Sequence, residues 1–237
     1  MDALKRMTND GAMLADPASL INEPMFEPKF WAERGELAAV SGGRGATWFL
    51  ESGPRRWVLR HYRRGGFVAR LSQDRYLWAG EQRVRSFAEY RLLADLAERG
   101  LPVPRPVAAR YQRSGLSYRC DLIMERIADS EPLSAMLAAA AVSDASWRAI
   151  GAAIARLHGG GVDHADLNAH NILLDSRGGV SVIDFDRGRV RERGAWTVHN
   201  LRRLHRSLAK ISRQLPPDRF SGETWECLLA GYGPLGH

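Results

Sequence analysis

The most constraining feature of the sequence is a pair of apolar runs around a polar, glycine-containing turn, NILLDSRGGVSVIDFD at residues 171–186. Two apolar runs separated in this way predict a β-hairpin. The polar stretch HADLNAHN at residues 164–171 leads directly into the first strand. The sequence therefore places several hydrogen-bonding side chains just before the first strand of a buried hairpin.

The hairpin predicts which polar side chains meet. If its loop is the four residues 176–179, Asp175 pairs with Val180, and Asn171 lies directly opposite Asp184. Directly opposed residues bring their Cβ atoms to about 5 Å. A carboxylate and an amide oxygen at one end of a ribbon suit Mg²⁺, which prefers oxygen ligands. For either residue alone, a strand-end polar group without a ligand is the better interpretation; the pair together with Asp166, in the loop before it, favours a functional site.

The remaining patterns predict an α+β chain in two lobes. The first 125 residues are rich in strands, and residues 126–237 are mostly helical with one hairpin. Strand-like segments lie at 57–62 and 118–127, and helical spacing lies at 86–100, 146–158 and 200–211. The two cysteines, Cys120 and Cys227, fit no metal-ligand spacing and are expected to be reduced thiols.

The charge pattern points to anionic partners. The formal net charge is +7, and arginine supplies most of the positive charge because lysine occurs only at positions 5, 29 and 210. Basic residues cluster at 55–66, 186–194 and 200–210. An arginine fork suits phosphate and carboxylate groups, although arginine usage can also reflect codon bias. From charge alone, nucleotide phosphates, an anionic substrate, an anionic membrane surface and nucleic acid remain open as partners.

The chain carries no secretory signal pattern and no apolar run near the roughly 18 residues that span a bilayer. We therefore expect a soluble or peripheral protein with its chemistry on the cytoplasmic side.

Two motifs resemble those of protein kinases. HADLNAHN resembles the catalytic loop, and IDFD resembles the metal-binding Asp-Phe motif that follows it. More narrowly, the chain resembles the 3-deoxy-D-manno-octulosonic acid (Kdo) kinases of lipopolysaccharide synthesis, which are related to the heptose kinases of that pathway. The stretches that carry this resemblance are VLRHYRRGG, GLPVPRPVA, HADLNAHNILLD, IDFDRGR and NLRRLHRSLAK. The resemblance implies a single bilobal, protein-kinase-like domain over residues 1–237, with the N-lobe at about 1–125 and the C-lobe at 126–237.

The resemblance also implies a reaction and its setting. The γ-phosphate of ATP would pass, with Mg²⁺, to the 4-hydroxyl of Kdo on the lipid A precursor. The protein would lie peripherally on the cytoplasmic face of the bacterial inner membrane, on an anionic surface, without nucleic acid or a protein partner. The alternatives are a kinase for heptose or another small molecule, and a nucleotide-binding pseudokinase. The complete set of Asp166, Asn171 and Asp184 argues against the pseudokinase.

The family motifs assign roles within the loop. Asp166 is the candidate that accepts the proton of the attacking hydroxyl, and Asn171 and Asp184 would hold Mg²⁺. His164 is expected to support the loop by hydrogen bonding near the Asp-Phe motif. Asn168 stands where kinases often have a basic residue, so an arginine from another segment would have to supply that charge.

A cation and an acid upstream are expected to bind the nucleotide. Arg60 takes the place of the usual strand lysine, and Glu89 lies on the inward face of its helix. A buried carboxylate needs a cation, and Arg60 is its predicted partner. The alternative partner is Arg85, four residues earlier on the same helix, in the less favourable order.

Two further segments complete the expected nucleotide site. Gly43 and Gly45, in SGGRGATW, would cover the phosphates with backbone N–H groups. The backbone from Glu125 to Ile127 would meet the adenine, as the family resemblance implies.

Overall fold

The computed structural model describes residues 3–42, 46–63 and 74–234. Gly43 and Gly45 lie outside these residues, and so do residues 64–66 of the first basic cluster. The chain divides into two compact units. The first contains the residues up to Asp95 together with Arg105–Arg126, and the second contains Leu96–Pro104 and the residues from Ile127 onward. The antiparallel sheets and helices confirm the predicted α+β class; the predicted lobe boundaries stay a prediction.

The first unit is built on an antiparallel sheet that has eight strands within the described residues. The strands are β1 (Leu4–Met7), β2 (Gly11–Ala15), β3 (Leu37–Gly42), β4 (Ala46–Ser52), β5 (Arg55–His61), β6 (Tyr76–Leu77), β7 (Pro106–Ser114) and β8 (Ser117–Glu125). Their order is β1-β2-β7-β8-β5-β4-β3, and β6 pairs with β8. Strand β5 is therefore paired on both sides, which fixes the direction in which Arg60 leaves the sheet.

Two helices accompany this sheet, α1 (Pro28–Ala32) and α2 (Arg85–Glu98). Two aromatic residues near the N-terminus belong to the core, because Phe26 and Trp31 are each 1% exposed. Trp31 packs edge-to-face on Trp57 of β5, with ring centroids 5.9 Å apart. This packing anchors the strand that carries Arg60.

The second unit holds four helices and five short strands among its described residues. The helices are α3 (Leu133–Ala139), α4 (Asp144–Gly159), α5 (Trp196–Ser212) and α6 (Gly222–Tyr232). The strands are β9 (Ser130–Pro132), β10 (Val162–Asp163), β11 (Ile172–Asp175), β12 (Val180–Val182) and β13 (Arg189–Val190). Across the described parts of the chain, no helix is both long and apolar enough to cross a membrane.

Helix α4 has the buried face that its spacing predicts, formed by Trp147, Ile150, Ile154 and Leu157. It packs tightly against α6 through two glycines. A Cβ on Gly151 would lie 2.0 Å from the Leu228 carbonyl oxygen, and a Cβ on Gly231 would lie 2.0 Å from that of Arg148. The two backbones thus approach more closely than any residue with a side chain allows.

The predicted hairpin is confirmed, but its predicted register is wrong by one residue. Leu174 of β11, rather than Asp175, faces Val180 of β12. The Asp175 N–H donates to the Gly179 carbonyl at 2.9 Å, so these two residues also pair and the turn consists of residues 176–178. Gly178 has the left-handed φ, 83°, that is typical of a three-residue turn. Consequently the Asn171 carbonyl accepts the N–H of Ile183 at 2.9 Å, and Asp184 is one residue beyond the position opposite Asn171.

Candidate active site

His164 supports the loop between β10 and β11, as expected. Its Nε2 donates to the Ile183 carbonyl at 2.9 Å, next to Asp184. Its ring packs edge-to-face on Phe185, with centroids 4.6 Å apart. Burial lowers the pKa of His164, so the ring is neutral near pH 7 and the proton on Nε2 is the one that the carbonyl requires. The loop and the Asp-Phe segment are thereby held together.

Asp163, at the end of β10, ties this loop to α5. Its carboxylate accepts from Nδ2 of Asn200 and from Nη1 of Arg191, each at 3.0 Å. Burial would raise the pKa of Asp163, but these hydrogen bonds outweigh it and hold the pKa below its usual value. Asp163 is therefore ionised at neutral pH and serves as a structural anchor.

Asp166 is presented on a constrained backbone. The preceding Ala165 has a left-handed φ of 56°, which is unfavourable for a residue with a Cβ and marks local strain. The Asp166 carbonyl accepts from Nδ2 of Asn168 at 2.8 Å and from Nδ2 of Asn171 at 3.1 Å. The Asp166 side chain itself is 41% exposed, so it is accessible to a substrate.

Asn171 and Asp184 carry donor atoms of the type that Mg²⁺ binds, and their role as metal ligands stays a prediction. The hydrogen bond that the Asn171 amide nitrogen donates orients the side chain, so that its oxygen is the atom that would coordinate a metal ion. Asp184 follows directly on Ile183, which bonds to Asn171, and has a left-handed φ of 68°. One amide oxygen and one carboxylate are hard donors of the kind that Mg²⁺ takes, with water and phosphate completing its shell. The described residues contain no cluster of three or more His, Cys, Asp or Glu suited to a metal.

Sequence reasoning did not single out Arg203, which lies on α5. Its Nη2 contacts Oδ1 of Asp166. Arg203 belongs to the basic stretch at 200–210, which the sequence does reveal. Nothing in that stretch separates Arg203 from its neighbours, because the contact joins residues 37 positions apart.

In the first unit, the predicted Arg60–Glu89 ion pair is present. Nη1 of Arg60 lies 3.1 and 3.4 Å from the two oxygens of Glu89, which is 2% exposed. The hydroxyl of Tyr62 donates to the same carboxylate at 2.5 Å. Arg85, the alternative partner, places its guanidinium over the Tyr76 ring, 4.8 Å from its centroid. The Arg60–Glu89 pair thus has the form that the kinase-like motifs imply.

Glu125 and Ile127 are found in different settings. Glu125 ends β8, and its N–H already donates to the Arg105 carbonyl at 2.8 Å. Ile127 begins the larger segment of the second unit, and its carbonyl accepts from the Ser130 hydroxyl at 2.9 Å. The backbone N–H of Glu125 is therefore committed within its own unit.

The basic cluster at 186–194 has a partly structural role. Strand β13 within it pairs antiparallel with β10, placing Arg189 opposite Asp163. Arg191 pairs with the Asp163 carboxylate, and all four arginines of the cluster, at positions 187, 189, 191 and 193, are exposed. The cluster thus combines one ion pair within the fold with exposed arginines that are placed to meet an external anion.

Comparison with known proteins adds family information. Residues 28–232 match the sequence model of the lipopolysaccharide kinase (Kdo/WaaP) family. The chain is 50% identical over 204 residues to a 3-deoxy-D-manno-octulosonic acid kinase of Xanthomonas axonopodis pv. citri (strain 306), covering 85% of this chain and 81% of that protein. It is 48% identical, with the same coverage, to a protein of that name from Stenotrophomonas maltophilia (strain K279a).

Among solved structures, the crystal structure of WbdD superposes with a TM-score of 0.54 at 16% identity. The match covers 83% of this chain and 45% of the WbdD chain. At this identity the likeness concerns the fold alone.

Proposed function

The chain belongs to the lipopolysaccharide kinase (Kdo/WaaP) family, and on that premise we propose that it transfers the γ-phosphate of ATP to the 4-hydroxyl of Kdo on the lipid A precursor. That it is a kinase acting on a Kdo sugar follows from its family and its close relatives. The 4-hydroxyl, the lipid acceptor and the residue roles are the proposal. The observation that carries the residue roles is the hydrogen bond from the Asn171 amide to the carbonyl of Asp166, which joins the candidate base to a candidate metal ligand. The 4-hydroxyl and the lipid acceptor are proposed from the resemblance to the Kdo kinases.

Asp166 has the role of proton acceptor. Phosphoryl transfer is catalysed mainly by positioning and by neutralising charge. A carboxylate on a rigid backbone can accept a hydrogen bond from the sugar hydroxyl, orient it, and take its proton as the new P–O bond forms. The two amides on the Asp166 carbonyl support this role because they restrict the backbone that carries the carboxylate.

Asn171 and Asp184 would hold Mg²⁺, and their donor chemistry supports this assignment. When bound, the ion would neutralise charge on the β- and γ-phosphates. The polar contacts of the loop then keep the two ligands at the same end of the hairpin.

Arg60 is proposed to bind the nucleotide phosphates, with Glu89 orienting its guanidinium. Arginine replaces the lysine typical of kinases; its planar fork can take two phosphate oxygens at once. Gly43 and Gly45, and the backbone of Glu125 and Ile127, remain proposed contacts for phosphates and adenine. The two compact units would then correspond to the strand-rich and helical lobes of a kinase-like fold.

The proposed acceptor carries several negative charges, in its sugar carboxylate and its lipid A phosphates. The exposed Arg187 and Arg189 are candidate contacts for it. The same excess of arginine supports peripheral attachment to the anionic inner membrane surface.

The decisive experiment offers radiolabelled ATP with a Kdo-bearing lipid A precursor, and in parallel with a heptose-bearing acceptor. We expect label on the Kdo acceptor only, and ³¹P–¹H correlation in the product at position 4 of the sugar. Label on heptose but not on Kdo would refute the substrate, and a correlation at another carbon would refute the proposed position.

Membrane attachment needs a separate test. Sedimentation with vesicles of anionic phospholipid should remove the protein from solution at low salt and release it at high salt, since the Debye length shortens from about 30 Å at 0.01 M to about 3 Å at 1 M. No binding at low salt would contradict peripheral attachment.

A further inference from the structure

The catalytic loop lacks a cation at the position where kinases often carry one. Asn168 stands there, and both ends of its amide are engaged locally: Nδ2 donates to the Asp166 carbonyl at 2.8 Å, and Oδ1 accepts the N–H of His170 at 2.9 Å. Asn168 is neutral and builds the turn. The charge that phosphoryl transfer needs must therefore come from another segment.

Helix α5 is bonded to this loop at two points. Asn200 accepts the N–H of His164 at 3.1 Å, and about two turns further along the helix the Ser207 hydroxyl accepts the N–H of Ala169 at 3.3 Å. Arg203 lies between these two attachments, on the same face of the helix. The helix therefore fixes where the Arg203 side chain begins relative to Asp166.

The guanidinium of Arg203 contacts the Asp166 carboxylate, and both side chains are about half exposed, at 47% and 41%. An ion pair this exposed adds little to stability, so stability does not account for it. A guanidinium has five N–H donors, and this contact uses Nη2. The others can serve a second anion.

We propose that Arg203 is the cation that stabilises the phosphoryl group during transfer, in the role that Asn168 cannot take. This inference rests on the proposed phosphoryl transfer at Asp166. In that step the bond from the γ-phosphorus to the β–γ bridging oxygen breaks while a bond to the acceptor hydroxyl oxygen forms. The hydroxyl proton passes to the Asp166 carboxylate, and ADP leaves with the bridging oxygen. Because Asp166 contacts the attacking oxygen, a guanidinium held on its carboxylate lies beside the non-bridging oxygens, where charge redistributes.

The test compares Arg203→Gln with Arg203→Lys, and with Arg213→Gln as a matched control. Arg213 is an exposed arginine that directly follows the last residue of the same helix. We expect kcat to fall about 10²- to 10³-fold in Arg203→Gln, with the KM for ATP little changed, as for loss of a transition-state donor. Arg203→Lys should recover part of the loss, and Arg213→Gln should match wild type.

A second measurement separates contact with the phosphoryl group from a structural role. Replacing a γ-oxygen by sulfur, with ATPγS, should slow the wild-type protein more than Arg203→Gln, because the variant has already lost the contact. An equal thio effect in both proteins would overturn the inference, and so would wild-type kcat in Arg203→Gln. If the glutamine variant did not fold, the lysine variant would be compared in the same way, since a shifted donor must alter the thio effect.

A parallel Asp166→Asn variant keeps the two claims distinguishable. Full activity in Asp166→Asn would refute the proposed site. Loss of activity in Asp166→Asn with wild-type behaviour in Arg203→Gln would overturn only the role of Arg203.

Discussion

Replacement of Arg60 by alanine should destabilise the protein substantially. Glu89 is 2% exposed, and Arg60 contacts both of its carboxylate oxygens, at 3.1 and 3.4 Å. Removing one partner of a buried ion pair costs about 3–5 kcal/mol, because the remaining charge stays buried without compensation. The Tyr62 hydroxyl still donates to Glu89, so we expect the lower end of that range, about 3 kcal/mol.

Urea unfolding at pH 7 measures this loss as a change in midpoint at constant slope. Arg56→Ala is the matched control on the same strand: its pair with Glu51 is exposed, at 45% and 38%, and should contribute under about 1 kcal/mol. Glu89→Gln removes the buried negative charge. In the Glu89→Gln background, Arg60→Ala should therefore lower the free energy of unfolding by less than it does in the wild-type protein. A loss in Arg60→Ala no larger than in Arg56→Ala, or strictly additive effects, would refute the reasoning.

Three further outcomes follow from the second unit. Gly151→Ala should lower the free energy of unfolding by about 3 kcal/mol, because its Cβ would lie 2.0 Å from the Leu228 carbonyl oxygen. Thermal unfolding measures this loss, and Gly222→Ala is the control because no atom lies within 4 Å of its added Cβ. An effect of Gly151→Ala as small as that of Gly222→Ala would contradict the close approach of the two helices. Burial lowers the pKa of His158 from 6.5 to about 4, so the folded state resists protonation, and stability that is complete above pH 6.5 should decline by about 3 kcal/mol as pH falls to 4. His158→Gln should flatten that part of the urea-midpoint profile, and an unchanged profile would refute the assignment. EDTA should abolish phosphoryl transfer and added Mg²⁺ should restore it, whereas transfer that persists in EDTA would exclude Asn171 and Asp184 as required metal ligands.

Some of the architecture could be predicted because local patterns carry it. The inward face of α2 and the rule that a buried carboxylate needs a cation predict that Glu89 has a cationic partner, and the resemblance to kinases predicts that this partner is Arg60; the structure contains the pair. The spacing of Trp147, Ile150 and Leu157 likewise predicts the buried face of α4. In these cases the helical period alone determines which side chains share a face.

Other features depend on information that the sequence does not make explicit. The hairpin register depends on whether the turn has three or four residues. The three-residue turn places Gly178 in a left-handed conformation, which the sequence alone does not specify. The contact between Arg203 and Asp166 depends on how α5 packs on the loop, and the adjacent arginines of α5 have the same chemistry. The short strands β1 and β2 lie at the end of the sheet order, and β1 is exposed throughout, without an alternating pattern to reveal it.

The central claim is that phosphoryl transfer to a Kdo acceptor requires the carboxylates of Asp166 and Asp184. The most direct measurement is the initial rate of labelled phosphate incorporation into a Kdo-bearing lipid A precursor by wild type, Asp166→Asn and Asp184→Asn at saturating ATP and Mg²⁺. We predict that both variants fold as wild type does and lose about 10²- to 10⁴-fold in rate, the range typical of a general base or a charge-neutralising group. Equal incorporation by all three proteins would contradict the account.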